Sequence, residues 1–128
     1  MKTNELSGAA LDWAVAKCEF PELVWGETIG LSAHARDLIV IPDRKAPNCY
    51  WQPSTNWAQG GPIIEREEIS VAKVGRSLDD ALVPHPECWV AHIDGIYCRY
   101  GVSALIAAMR CYVASKLGDE VQLPEGLK

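Results

Sequence analysis

The stretch that decides the fold is Ser54-Thr55-Asn56-Trp57-Ala58-Gln59-Gly60-Gly61-Pro62-Ile63-Ile64-Glu65-Arg66-Glu67. Ser54 or Thr55 can accept a hydrogen bond from a backbone N–H two or three residues later, which begins many helices. Gly60 and Gly61 have no Cβ, so another backbone or a ligand can approach closely. Pro62 cannot donate a backbone hydrogen bond, so it either opens a second helical segment or kinks the first. The stretch predicts a capped turn that leads into a central helix.

An N-terminal helix is predicted ahead of this element. Asn4 or Ser7 can cap it, and Pro21 marks its end. Its apolar stripe at helical spacing consists of Leu11, Ala14, Val15 and Cys18. Trp13 lies off that stripe beside Lys17. We interpret Trp13 either as covered by the segment that follows or as part of an interface.

The C-terminal helix has the clearest boundaries, since Ser103 is a good N-cap and Gly118 a good terminator. Its apolar arc should lie on a sheet and comprises Leu105, Ile106, Met109, Tyr112, Val113 and Leu117. The opposite face is small and uncharged, formed by Ala104, Ala107, Ala108, Cys111, Ala114 and Ser115. Solvated faces usually carry Glu and Lys. This face is therefore predicted to pack against another helix or another subunit.

Strands are predicted at four places. They are the β-branched run 37–42, the weakly alternating run 69–74, and the pair 88–93 and 96–100 around Asp94-Gly95, a strong hairpin signal. We therefore predict an α+β fold. It consists of one domain over 1–118, with N-terminal, central and C-terminal helices packed on a small, about three-stranded antiparallel sheet. Residues 119–128 are predicted to form an acidic tail.

The composition of the chain argues against several classes of function. The chain has 128 residues, 48% of them hydrophobic, and no apolar run near the ~18 residues that a membrane span needs. No leader-like segment follows Met1, so we expect a cytoplasmic protein and no membrane partner. The net charge is −5 without a basic run, which argues against general double-stranded DNA binding. The five cysteines form no C-x-x-C pair, so reduced thiols are expected.

No catalytic or metal constellation stands out. A zinc site would have to combine His85, Cys88, His92 and Cys98, whose spacing is irregular. Three histidines and no nucleophile elbow give no reason to name a nucleophile and base. We predict no metal, no cofactor and no catalytic residue.

A ligand site at the central turn is a stronger candidate. A helix N-terminus offers N–H groups to phosphate or carboxylate, an indole can stack on a base, and arginines can neutralise an anion. The candidate residues are Ser54, Thr55, Asn56, Trp57, Gln59, Gly60, Gly61, Arg66 and Arg110. The alternative is purely structural, with Trp57 in the core, the glycines in tight contacts and both arginines paired to glutamates.

Three regions carry a family resemblance: Met1–Leu6 with Ala10–Cys18, Pro53–Glu67 and Leu105–Gly118. They resemble the NinX-like proteins of tailed temperate phages and prophages of enteric bacteria. The central and C-terminal segments are also similar, more distantly, to the phage α-β-α sandwich domain, although Gly60-Gly61-Pro62 departs from its uninterrupted helix. The resemblance implies a phage accessory protein in the host cytoplasm. It brings no catalytic residues, because the family's biochemical activity is not known.

The sequence leads to three functional hypotheses, of which the third is an enzyme for which no reaction can be named. The first is a non-catalytic protein that binds a host or phage macromolecule and forms a homo-oligomer. Its interface would use Trp13, Ala104, Ala107, Ala108, Cys111 and Ala114. The second is a protein that sequesters a host signalling nucleotide at the turn from Trp57 to Gly61.

Overall fold

The computed structural model describes residues 1–32, 38–41, 49–73, 89–94 and 97–127. After a short 3-10 helix at Thr3–Glu5, the elements are α1 (Gly8–Glu19), β1 (Gly30–Leu31), β2 (Ile39–Ile41), β3 (Cys49–Trp51), α2 (Trp57–Arg66), β4 (Ser70–Lys73), β5 (Trp89–Ile93), β6 (Tyr97–Gly101) and α3 (Ala104–Leu117). The α+β class and the three predicted helices are confirmed. The strands form two antiparallel three-stranded sheets, β1-β2-β3 and β4-β5-β6.

Helix α3 lies at the centre of the molecule. It contacts both α1 and α2, as well as all three strands of the second sheet. Every residue from Ala107 to Ala114 is buried, so the helix is enclosed on all sides rather than along one stripe. Both predicted caps are present, because Ile106 N–H donates to Ser103 Oγ at 3.1 Å and Gly118 follows the helix with φ of 89°.

One face of the first sheet supplies its buried side chains, and the other face is partly exposed. Strand pairing places Leu31, Ile39 and Trp51 in one cross-strand row, and Gly30, Val40 and Tyr50 in the row that faces the other way. Ile39 and Trp51 are buried in the core, where Trp51 meets Phe20 edge to face at 5.0 Å between ring centroids. Tyr50, by contrast, is 45% exposed. We call the row Gly30, Val40 and Tyr50 the outer row.

Helix α2 is a single helix that runs through Gly60-Gly61-Pro62 without a second start. Its cap differs from the prediction. Asn56 is the N-cap, and its side-chain oxygen accepts the Ala58 N–H at 2.9 Å. Ser54 and Thr55 precede the cap in a turn, because the N–H groups of Thr55 and Asn56 donate to the Gln52 carbonyl. Asparagine caps a helix as well as serine or threonine does, and the prediction placed the start one or two residues early.

The ends of the chain lie side by side. Lys2 pairs with Glu120 as an antiparallel bridge, Thr3 N–H donates to the Asp119 carbonyl at 2.9 Å, and Val121 N–H donates to the Met1 carbonyl at 2.8 Å. Val121 is buried in the core cluster. The N-terminal residues therefore hold the start of the segment that follows α3. The division into a domain over 1–118 and a tail over 119–128 stays a prediction.

Candidate functional site

The most exposed large aromatic side chain of the described residues is Trp57, at the first position of α2. Its side chain is 58% exposed, so the alternative that placed it in the core is wrong. The indole lies along the helix above Gly61, where a Cβ would sit 3.8 Å from ring carbon Cε3. Tyr50, which is 45% exposed, lies on the strand that Gln59 of the same helix contacts, and we call Trp57 and Tyr50 together the aromatic surface. Tryptophan and tyrosine are enriched among the residues that dominate binding energies.

The backbone beneath these two rings is fixed by Gln59. Its side-chain Nε2 donates to the Tyr50 carbonyl at 2.7 Å, and its Oε1 accepts the Gln52 N–H, also at 2.7 Å. The two bonded groups lie on the same edge of the extended segment, so the amide takes the place that a neighbouring strand would occupy. The first turn of α2 is thereby joined to β3. The aromatic surface is carried on segments that are held together before any partner arrives.

Gly60 is required by packing rather than by a ligand. A Cβ at this position would collide with the Pro53 carbonyl oxygen and would come within 2.6 Å of Leu105 Cδ2. The close approach expected at this glycine is therefore made by the chain itself. Three N–H groups of the first turn are also satisfied, because Gln59 and Gly60 donate to the Asn56 carbonyl and Ala58 donates to its side chain. These contacts match the structural alternative for the turn.

The two arginines of the predicted ligand site lie away from Trp57. Arg66 forms a two-pronged ion pair with Glu19, at 2.9 and 2.6 Å, and also bonds Glu67 at 3.0 Å. Arg110 is buried in the interior, where it donates to the carbonyls of Leu6 and Tyr100, each at 2.8 Å. The structure therefore does not bring these guanidinium groups to the turn, where an anionic ligand would need them.

Arg66 belongs to a network that joins the C-terminal ends of α1 and α2 to α3. Tyr112 OH donates to Glu19 Oε2 at 2.5 Å, and Lys116 pairs with Glu67 at 3.2 Å. Burial alone would raise the pKa of Glu19, but hydrogen bonds from Arg66 and Tyr112 outweigh it and hold that pKa below its usual range. Burial and the Glu19 carboxylate together raise the pKa of Tyr112. The network contains two acidic and two basic side chains, so its role is to hold three helices together.

A second polar group lies deeper, between α1 and the turn before α2. Asp12 is 3% exposed, and its Oδ1 accepts the Ser54 N–H at 2.9 Å. Burial raises the pKa of this carboxyl to about 6, although the Ser54 hydroxyl and N–H partly offset that rise. The buried Ser54 hydroxyl has no well-aligned hydrogen-bond partner among the described residues. Ser54 therefore anchors the turn from the interior and is not available to an external ligand.

The small-residue face of α3 is covered by the chain itself. Ala107, Ala108, Cys111 and Ala114 are at most 2% exposed, and α1 is among the elements that pack on this helix. Trp13 is also buried, with the Lys17 ammonium 5.3 Å from its ring centroid. Of the two alternatives for this face, the structure shows packing within the chain, which leaves these residues no surface for a second subunit. Ala104 is only partly buried. A homo-oligomer through another surface stays a prediction.

A groove lies beside β1, the edge strand of the first sheet. It has a volume of about 410 Å³ and is lined by residues 25–31 and by Val40, which pairs with Tyr50. The groove thus meets the outer row at Val40. It lies in the part of the sequence from 22 to 53 that showed the weakest pattern, because β1 is two residues long and too short for periodicity to reveal. The features of the sequence that indicate this groove are the glycines at 26 and 30 near Trp25.

The sequence also predicts that the protein has no metal site and no membrane-spanning segment. Within the described ranges, no three His, Cys, Asp or Glu residues lie close enough to hold a metal ion. His85 and Cys88 fall outside those ranges, so the zinc combination is not assembled from described residues. No described helix has both the length and the apolar character that crossing a membrane requires.

Comparison with known families gives one result. The model of the family described as "Bacteriophage P22, NinX" matches residues 2–116, which is most of the chain. No curated protein matches the chain.

Proposed function

The chain belongs to the bacteriophage P22 NinX family, and we propose that it is a non-catalytic binding protein that acts on a host or phage protein through the aromatic surface of Trp57 and Tyr50. We place its action in the cytoplasm of the phage's host. The observation that carries the proposal is the 58% exposure of Trp57 on a preorganised backbone.

The exposure of Trp57 has an energetic consequence that supports this use. An indole left in water forgoes the roughly 1.5–3 kcal/mol that burial of a large apolar side chain contributes, and a docking partner restores that contribution. Tryptophan and tyrosine are also enriched among the few interface residues that dominate binding energies. Gln59 and the Asn56 cap order the backbone beforehand, so a partner meets a surface that loses little entropy on binding.

A nucleotide is the second candidate ligand, because an exposed indole can stack on a base. The phosphate half of such a site lacks support. Both arginines are engaged elsewhere, and the N–H groups of Ala58, Gln59 and Gly60 in the first turn of α2 are satisfied by Asn56. A protein partner needs only the exposed rings and is therefore the preferred proposal.

Native mass spectrometry of protein purified gently from phage-infected host cells tests the proposal. We expect a complex whose added mass is that of a polypeptide, and we expect Trp57→Ala to abolish it. Trp57→Ala should leave the melting temperature nearly unchanged, since the ring is exposed. A complex that survives Trp57→Ala contradicts the assigned surface. An added mass of a few hundred daltons identifies a small ligand instead, and a multiple of the chain mass identifies self-association.

A further inference from the structure

The groove beside the outer row is built by a tight loop of definite geometry. The Val24 carbonyl accepts the N–H groups of Glu27 and Thr28, at 3.0 and 2.9 Å, and Thr28 Oγ1 accepts the Val24 N–H at 2.7 Å. Gly26 has φ of 85°, a left-handed conformation that side chains other than glycine adopt with strain. The loop therefore holds its shape through its own hydrogen bonds, and the groove is preformed.

Trp25 forms one wall of this groove and is fixed in place. Its indole N–H donates to the Glu125 carbonyl at 3.0 Å, and its ring carbon Cζ2 lies 3.9 Å from the position of a Cβ on Gly126. The wall is an aromatic ring whose polar edge is already bonded. Trp25 is partly exposed and lines the groove with the rest of its side chain.

The chemistry of the groove is aromatic and anionic. Glu27 lines the groove, is exposed, and forms no ion pair within the described ranges. Among the described residues that line the groove there is no lysine or arginine, and the chain as a whole carries −5. A carboxylate beside an indole attracts a cation, since the ring face carries negative quadrupole charge. The groove is open to solvent, and its volume of about 410 Å³ exceeds what a metal ion needs.

We propose that this groove receives the side chain of a lysine or arginine from the partner protein, with the ammonium or guanidinium group between Trp25 and Glu27. The aliphatic stem of such a side chain would lie along Gly30 and Val40, the two outer-row residues that line the groove. The proposal rests on the proposed function and adds the chemistry of the partner. Because Val40 belongs to both the groove and the outer row, the same partner would contact Tyr50.

The test uses N-acetyl-lysinamide and N-acetyl-argininamide as probes, titrated into the ¹⁵N-labelled full chain and followed by NMR. We expect saturable shifts of the Trp25 indole N–H and the Gly30 amide, with a roughly millimolar Kd for ligands of this size. N-acetyl-leucinamide should produce none. Glu27→Gln should weaken binding about threefold, the usual effect of one partly exposed cation contact. Glu22→Gln is the matched control, an exposed nearby glutamate outside the groove, and should bind as the wild type does.

Three results would overturn the inference: no shifts from either cationic probe, equal shifts from the leucine probe, or binding unaffected by Glu27→Gln. The experiment is separable from the test of the proposed function. Trp57→Ala should bind the probes normally, because Trp57 is not among the residues that line the groove. If the probes do not bind but the Trp57-dependent complex forms, only the proposal for the groove is rejected. If the probes bind normally but no such complex forms, the assignment of the aromatic surface is rejected.

Discussion

Gly60 and Gly61 are adjacent, share one helix and should respond oppositely to alanine. In a helix interior, alanine is ordinarily favoured over glycine by about 0.5–1 kcal/mol. A Cβ on Gly61 would meet only the Trp57 ring, at 3.8 Å, an ordinary van der Waals distance. A Cβ on Gly60 would collide with the Pro53 carbonyl oxygen and come within 2.6 Å of Leu105 Cδ2. The Pro53 oxygen belongs to the backbone, so relief requires the helix and the preceding turn to move apart.

The expected magnitudes follow from these distances. Gly61→Ala should stabilise the fold by about 0.5–1 kcal/mol. Gly60→Ala gains the same propensity but incurs an overpacking cost of roughly 1–3 kcal/mol, which leaves a net loss of up to about 2.5 kcal/mol. Because the propensity gain is common to both variants, their stabilities should differ by the overpacking cost, about 1–3 kcal/mol. For a chain of this length that is a difference in melting temperature of roughly 4–12 °C.

Thermal and urea denaturation, followed by circular dichroism, measure this difference directly. Each variant serves as the other's control, because both replace a glycine of the same helix with alanine. Equal stabilisation by both alanines would refute the close approach of α2 to the Pro53 turn. It would also leave the Gly-Gly pair without a structural explanation.

Three further predictions concern the polar contacts. Asp12→Asn keeps the acceptor for the Ser54 N–H but removes a carboxyl whose pKa burial raises to about 6. The contribution of the protonated Asp12 carboxyl to stability is present below pH ~3.8 and is lost as the pH rises through about 6. In denaturation experiments, Asp12→Asn should therefore be more stable than the wild type at pH 8, by up to about 3 kcal/mol, and little more stable at pH 4. Tyr112→Phe removes the hydroxyl that donates to Glu19 and should lower the free energy of unfolding, measured by urea denaturation, by about 1–1.5 kcal/mol. The pKa of Glu19, followed by carboxyl NMR, should rise because a hydrogen bond to the carboxylate is lost. Asn56→Ala should cost about 1 kcal/mol through loss of the α2 cap, measured by thermal unfolding, whereas Asn56→Ser should recover most of it.

The helices were predictable because their signals are local. Ser103 and Gly118 mark the ends of α3, and each acts through groups within one turn of itself. The hairpin that contains β5 and β6 was predictable for the same reason, since alternation and a turn dipeptide lie within a few residues. The cap of α2 was missed because three successive residues, from Ser54 to Asn56, can all serve, and the choice depends on the contact of Ser54 with Asp12.

Long-range packing decided what the sequence pattern left open. The small face of α3 suits another helix or another subunit equally well, and only the folded chain shows that it is enclosed. Arg66 and Arg110 were assigned to a ligand because both are cationic, yet their partners lie 47 and 104 residues away in Glu19 and Leu6. Sequence spacing carries no information about contacts at that separation. Exposure of Trp57 was unpredictable for the same reason, since an indole at a helix start suits a core and a surface alike.

Contacts within the chain separate structural residues from those available for binding. Gly60, Ser54 and both arginines are accounted for by such contacts. Trp57 differs from these residues, because its side chain is 58% exposed. An exposed indole is available to another molecule, and tryptophan is enriched among the residues that dominate binding energies.

The central claim is that a protein partner docks on Trp57, and in-cell photo-crosslinking tests it most directly. A photoreactive phenylalanine analogue would replace Trp57 in one variant and Lys73, an exposed residue on β4, in the control. We expect a discrete protein adduct from position 57 on irradiation of phage-infected cells, and no such adduct from position 73. Identical adduct patterns from the two positions, or no adduct from position 57, would contradict the claim.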